Sequence, residues 1–228
     1  RSMKKIFILF PLFIILFSCS QNLPELNTVS GTVIYDFEDE EKKPDLRLGV
    51  FVDVSSDVHR AEFLKIVCTQ NDFEWECNRP LKVTNEKKQY AGYANFVMPG
   101  NDSFPQGKYT VFYTDANGNE ESCVMNVSYS TEILQMTSVK TAEYLKPLHA
   151  VENLAVFDEE AVLIFYGEKT EDLQDIESVW RKYPEADSAR TVWTRNNGKE
   201  MCIFPLVYKN GKKVVEENGT DSRDSDTE

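Results

Sequence analysis

Histidine, closely spaced cysteine pairs and basic clusters are scarce in this chain of 228 residues, and each scarcity removes a class of chemistry. Only His59 and His149 are present, one beside Arg60 and one after Pro147-Leu148, and neither sits in a GxSxG or HExxH motif. There is no CxxC, and both histidines are remote in sequence from every cysteine, which argues against zinc. GxGxxG and the P-loop are missing too, so no nucleotide or other cofactor is expected. Lysine and arginine total 25 against 38 acidic side chains, a net charge of −13. With no basic footprint to neutralise phosphates, nucleic acid is not an expected partner. The apolar run from Ile6 to Phe17 holds 12 residues. As a helix it reaches about 18 Å against a hydrocarbon core of ~30 Å, too short to cross.

What the front end does carry is an address. Lys4 and Lys5 form a basic region before the apolar run, Met3 reads as its start, and Leu16-Phe17-Ser18-Cys19 closes it. This resembles the lipobox of bacterial lipoproteins. Leu16 matches the leucine three before the cysteine and Ser18 the small residue just before it, while Phe17 departs from the smaller residue usual between them. The resemblance implies a signal peptide at 1–18, lipid attachment at Cys19 through a diacylglycerol thioether, further acylation of the new amine, and a tether over 19–27. Two or three acyl chains suffice for stable anchoring, since each buried CH₂ adds about 0.8 kcal/mol. The expected partner at this end is therefore the membrane. Ser20, in place of an aspartate after the anchor, favours the outer membrane or cell surface over the inner membrane.

Export places Cys68, Cys77, Cys123 and Cys202 in an oxidising compartment, where four cysteines allow three pairings. Cys68 and Cys77 flank Thr69 to Glu76, and a staple across that turn is the favoured pair. Cys123 with Cys202 would then join the two halves of the chain.

From Val29 to Tyr129 the pattern is repeatedly β. Thr32–Phe37, Leu48–Val54, Phe63–Cys68, Phe73–Cys77 and Tyr93–Val97 read as strands, with Val50, Val52 and Val54 on one face. Tyr109, Val111 and Tyr113 alternate with Thr110, Phe112 and Thr114, and Asn117-Gly118 predicts a tight two-residue turn with both residues at positive φ. Gly107, Tyr109, Asp115, Gly118 and the valine-bearing return strand resemble the last hairpin of bacterial immunoglobulin-like domains. The resemblance implies an immunoglobulin-like β-sandwich over 28–130, with a transthyretin-like sandwich as the near alternative.

Beyond it, Ile133, Leu134 and Met136 read as an edge strand or a helical turn, stopped by Pro147. Ala161 to Tyr166 is continuously apolar, as in a strand buried on both faces. Thr170 as N-cap, Leu173, Ile176, Val179, Trp180 and Tyr183 at helical spacing, and Pro184 at the end predict one amphipathic helix. Thr191–Thr194 and Met201–Phe204 flank Asn196-Asn197-Gly198 as a hairpin. The fold class is thus mainly β, a sandwich followed by a small α+β unit over 131–212. The tail at 213–228, which has six acids and one arginine after Val215, reads as disordered.

The candidate sites for chemistry resolve into structural readings. Asp115-Ala116-Asn117-Gly118-Asn119 lacks the EF-hand glycine at its sixth position and glutamate at its twelfth, where Glu120 and Asn126 stand. Asp36 and Glu38 to Glu41 are interrupted by Lys42 and Lys43 and read as a solvated loop. Glu74/Glu76 is one of many chance carboxylate pairs among 38 acids. Tyr90, Tyr93, Phe96, Phe104, Tyr109 and Tyr113 read as sandwich core, with a glycan- or protein-binding face as the alternative. The functional expectation is a lipid-anchored, non-enzymatic binding or interaction module for a protein or glycan. An envelope enzyme or accessory acting on glycans, and a structural spacer, are the alternatives.

Overall fold

The computed structural model describes residues 23–85 and 87–211; the stretch read as a signal peptide, Cys19 and the stretch read as a tail from 213 lie outside the described residues. The chain is mainly β with two sheets, consistent with a β-sandwich. Two compact units are discontinuous in sequence: residues 23–32 with 48–128, and 33–47 with 129–211. Strands β1 (Leu26–Asp36) and β2 (Asp45–Val54) contribute residues to both. β1 begins inside the stretch read as tether.

In the first unit, β1 and β2 are followed in sheet order by β6 (Lys88–Phe96) and β5 (Leu81–Asn85). The other sheet runs β4 (Glu74–Asn78), β3 (Ala61–Cys68), β7 (Gly107–Asp115), β8 (Glu120–Val127), all in antiparallel pairs. Alternation puts one side of each strand inside: Val50, Val52 and Val54 from β2, Leu64 and Ile66 from β3, and Tyr109, Val111 and Tyr113 from β7 are buried. Trp75 packs on Phe73, Phe104 and Tyr109 and donates its indole N–H to the Val97 carbonyl at 2.7 Å. β5 has no counterpart in the hydrophobic pattern because all five of its residues are exposed.

Two expectations here are corrected. Cys68 and Cys77 are free thiols, as are Cys123 and Cys202. In the β3–β4 register Cys77 stands opposite Leu64, four residues from Cys68. That is about 13 Å along the strand, whereas a disulfide needs Cα atoms within about 7 Å. The β7–β8 turn is also longer than two residues. Thr114 pairs with Glu120, the Gly118 N–H donates to the Asp115 carbonyl at 2.9 Å, and Gly118 alone has positive φ, +80°. This is a type I turn continued by a left-handed glycine.

In the second unit the order is β10 (Leu163–Glu168), β9 (Val151–Phe157), β11 (Ser188–Arg195), β12 (Glu200–Ile203), β1, with β13 (Val207–Tyr208) also on β11. β1 and β12 are parallel, and the pairs β10–β9, β9–β11, β11–β12 and β11–β13 are antiparallel. The expected β11–β12 hairpin forms around Asn196, Asn197 and Gly198, all at positive φ. Helix α1 (Ser138–Leu145) answers the open reading of 130–150; a 3-10 turn at Ile133–Gln135 precedes it and another, holding Pro147, follows.

The single helix expected after Thr170 is split. A 3-10 turn covers Glu171–Leu173, and α2 (Ile176–Lys182) starts afresh where the Asp175 carboxylate accepts the Ser178 N–H at 2.7 Å. Its apolar face packs as expected: Leu173 and Val179 join Leu154, Val156, Ala186 and Ala189, with Ile176, Trp180 and Tyr183 against them. β10 is not buried on both faces. It ends the sheet, and Val162, Leu163 and Tyr166 are about half exposed.

Candidate functional site

Cys19, the one site residue the sequence proposes, lies outside the described residues. His59 sits in a 3-10 turn, where its N–H donates to Asp57 and its carbonyl accepts from Lys82. His149 adopts φ 54° where it ends the 3-10 turn after α1. Both side chains are exposed. Phe96, Phe104, Tyr109 and Tyr113 are core residues, while Tyr90 and Tyr93 are half-buried. Glu74 is exposed and lies 3.9 Å from Lys65.

The acid stretch is answered by the chain's own groups: Glu38 pairs with Lys42 at 3.2 Å and Asp39 accepts the Glu41 N–H. Asp36 accepts from Arg47 at 2.5 Å and lies 3.8 Å from Arg190. Burial draws the Arg190 guanidinium below its ordinary value, Asp36 opposing and Arg47 reinforcing. The Asp115 loop is likewise self-contained. Its buried carboxylate accepts the N–H groups of Asn117 and Asn119, the Asn119 amide, and Arg60 at 3.2 Å. Burial pushes its acid upward, but these donors outweigh it and hold Asp115 below the usual carboxylate range.

The densest polar cluster is one that no motif announced. Glu200, 1% exposed at the start of β12, accepts from Tyr35 at 3.1 Å, the Ser130 N–H at 2.9 Å, Arg195 at 3.1 Å and the Asn196 amide. Parallel pairing of β1 with β12 sets Tyr35 beside Cys202 and Val33 beside Glu200, so strand register assembles the cluster. The Tyr35 hydroxyl also donates to the Ser130 carbonyl at 2.7 Å. Burial first, then the Glu200 charge, raise the Tyr35 phenol far above its ordinary value. The same two causes push the Cys202 thiol up to about 12, against Arg195.

Chemically the Glu200 carboxylate is saturated, while the Arg195 Nη1 beside it is buried without a hydrogen-bond partner. Each Glu200 oxygen already accepts two hydrogen bonds, leaving no lone pair for a proton in flight. Cys202 stays protonated at neutral pH and is a poor nucleophile; burial alone also raises Cys77 and Cys123. The cluster ties β1, β12 and the segment entering α1 together. Among the described residues no group of three or more His, Cys, Asp and Glu side chains is placed to hold a metal, and no helix is long and apolar enough to cross a membrane. No protein-family model, curated protein or solved structure matches this chain.

Proposed function

We propose that the chain is a lipid-anchored lipoprotein of the bacterial cell envelope, working as a non-enzymatic binding or interaction module. The observation that carries this is the sequence Leu16-Phe17-Ser18-Cys19 at the end of a short apolar run that starts after Lys4 and Lys5. Acyl chains on Cys19 hold the body to the membrane, and its net charge of −13 keeps it in water and favours cationic partners. Outer membrane or cell surface is the proposed location, on the residue at position 20.

At the finer level, the first part reads as an immunoglobulin-like or transthyretin-like sandwich. Two sheets with buried inner faces around Trp75 support that reading. The later part reads as a small α+β unit, supported by α2 lying on Leu154, Val156 and Ala189. A binding role is favoured because the buried Glu200 and Asp115 carboxylates are occupied by the chain's own donors, whereas apolar surface stands exposed at strand edges.

The decisive experiment is mass spectrometry of the protein isolated from its native membrane. A mature N-terminus at Cys19 carrying diacylglycerol is expected, and Cys19→Ala moves the protein from the detergent phase to the aqueous phase in Triton X-114 extraction. A bare thiol, or a leader still attached, overturns the anchor. A hydrolytic activity lost on one carboxylate or histidine substitution, with folding intact, overturns the non-enzymatic reading.

A further inference from the structure

We infer that β10 is a docking edge for an extended peptide strand that carries apolar residues between basic ends; this rests on the reading of the chain as a binding module. β10 hydrogen-bonds β9 on one side and ends its sheet on the other, so alternate backbone N–H and C=O groups face outward. Ile164 and Phe165 turn inward onto the α2 cluster, with Phe165 stacked on Tyr183 at 5.1 Å. A register shift between Leu163 and Phe165 leaves Leu163 and Tyr166 outward, 50% and 49% exposed, beside Val162 at 57%.

Edge strands are ordinarily blunted by charge, and β4, β5 and β8 follow that rule. β5 carries Lys82, β4 carries Glu74 and Glu76, and β8 carries Glu120 and Glu121. From Ala161 to Gly167 there is no charged residue. The strand's two ends are acidic instead: Glu159 and Glu160 precede it, Glu168 and Glu171 close it, all four exposed and none ion-paired. The one cation there, Lys169, is held by Glu152 at 3.0 Å. Strand addition supplies main-chain hydrogen bonds, Leu163 and Tyr166 supply apolar contact, and the acidic ends select lysine or arginine at the flanks of the incoming strand. A second copy of this chain fits badly. Antiparallel self-pairing centred on Phe165 would bring Glu159 against Glu171, between two bodies each of charge −13.

The test uses the full chain in detergent and a labelled peptide of alternating valine and threonine with two lysines at each end, followed by fluorescence anisotropy. Saturable binding is expected, weakened about tenfold or more by Leu163→Lys, which puts a like charge on the edge. Changing all four end acids, Glu159→Lys, Glu160→Lys, Glu168→Lys and Glu171→Lys, is expected to reverse the preference toward the same peptide with glutamate ends, and it decides the matter even if Leu163→Lys fails to fold. Absence of saturable binding at millimolar peptide overturns the inference. So does equal binding of the two peptides, or binding indifferent to Leu163→Lys. Sedimentation that reveals a peptide-free dimer lost in Leu163→Lys overturns it in favour of self-association. Acylation of Cys19 without peptide binding removes the docking edge alone, and peptide binding with a bare Cys19 removes the anchor alone.

Discussion

Glu200 has four donors on one buried carboxylate, and removing it strands all of them at once. Glu200→Ala leaves the Arg195 guanidinium inside without its counter-charge, and a loss of about 3–5 kcal/mol in urea unfolding is expected. Glu200→Gln, which keeps the volume and two acceptors' worth of geometry, should lose less. Asp115 works by the same logic at smaller scale: Asp115→Asn should cost about 1–3 kcal/mol at neutral pH, because charge-assisted bonds become neutral ones. The sign with pH follows from its lowered folded value. A carboxylate depressed on folding stabilises above its unfolded pKa of about 3.9, and that contribution fades as pH falls through the folded value. Thermal unfolding of Asp115→Asn should therefore depend less on pH below about 4 than that of the parent. Cys202, pushed up to about 12, should resist iodoacetamide at neutral pH in the native protein and react once the chain is unfolded, as peptide mass spectrometry would show.

Among elements, α2 separates what pattern reveals from what capping decides. Spacing of Leu173, Ile176, Val179, Trp180 and Tyr183 identified the apolar face, and those side chains are the ones that pack. Spacing did not show that Asp175 would cap a new start, because an aspartate inside an amphipathic run looks like any exposed acid. Asp175→Ala should cost about 1 kcal/mol. Leu173→Ala, which opens the core beneath the helix, should cost about 2–5 kcal/mol, both read by chemical denaturation. α1 left little trace in the hydrophobic pattern because it buries Ser138 and Thr141 alongside Leu145. In the β7–β8 hairpin, Asn117-Gly118 marked the turn correctly but not its length. The Asp115 side chain draws in the Asn117 and Asn119 amides and lengthens it.

For the whole molecule, the thiols are the sharpest expectation. Non-reducing alkylation of the unfolded protein should label Cys68, Cys77, Cys123 and Cys202 alike, and electrophoretic mobility should not change on reduction. The β content, the strands at 32–37, 48–54, 63–68 and 107–127, and the face of the later helix could all be read along the chain, because alternation and helical spacing are local. So could the balance of charge. Strand neighbours could not. An apolar run from 161 to 166 has the composition of a central strand, and its place at the edge depends on whether another strand arrives beside it. Register set Cys77 opposite Leu64 and away from Cys68, and it brought Tyr35, Cys202 and Glu200 together across 165 residues of separation. Such pairings are settled by which distant segments bury each other's surfaces, a long-range free energy that no local window of residues contains.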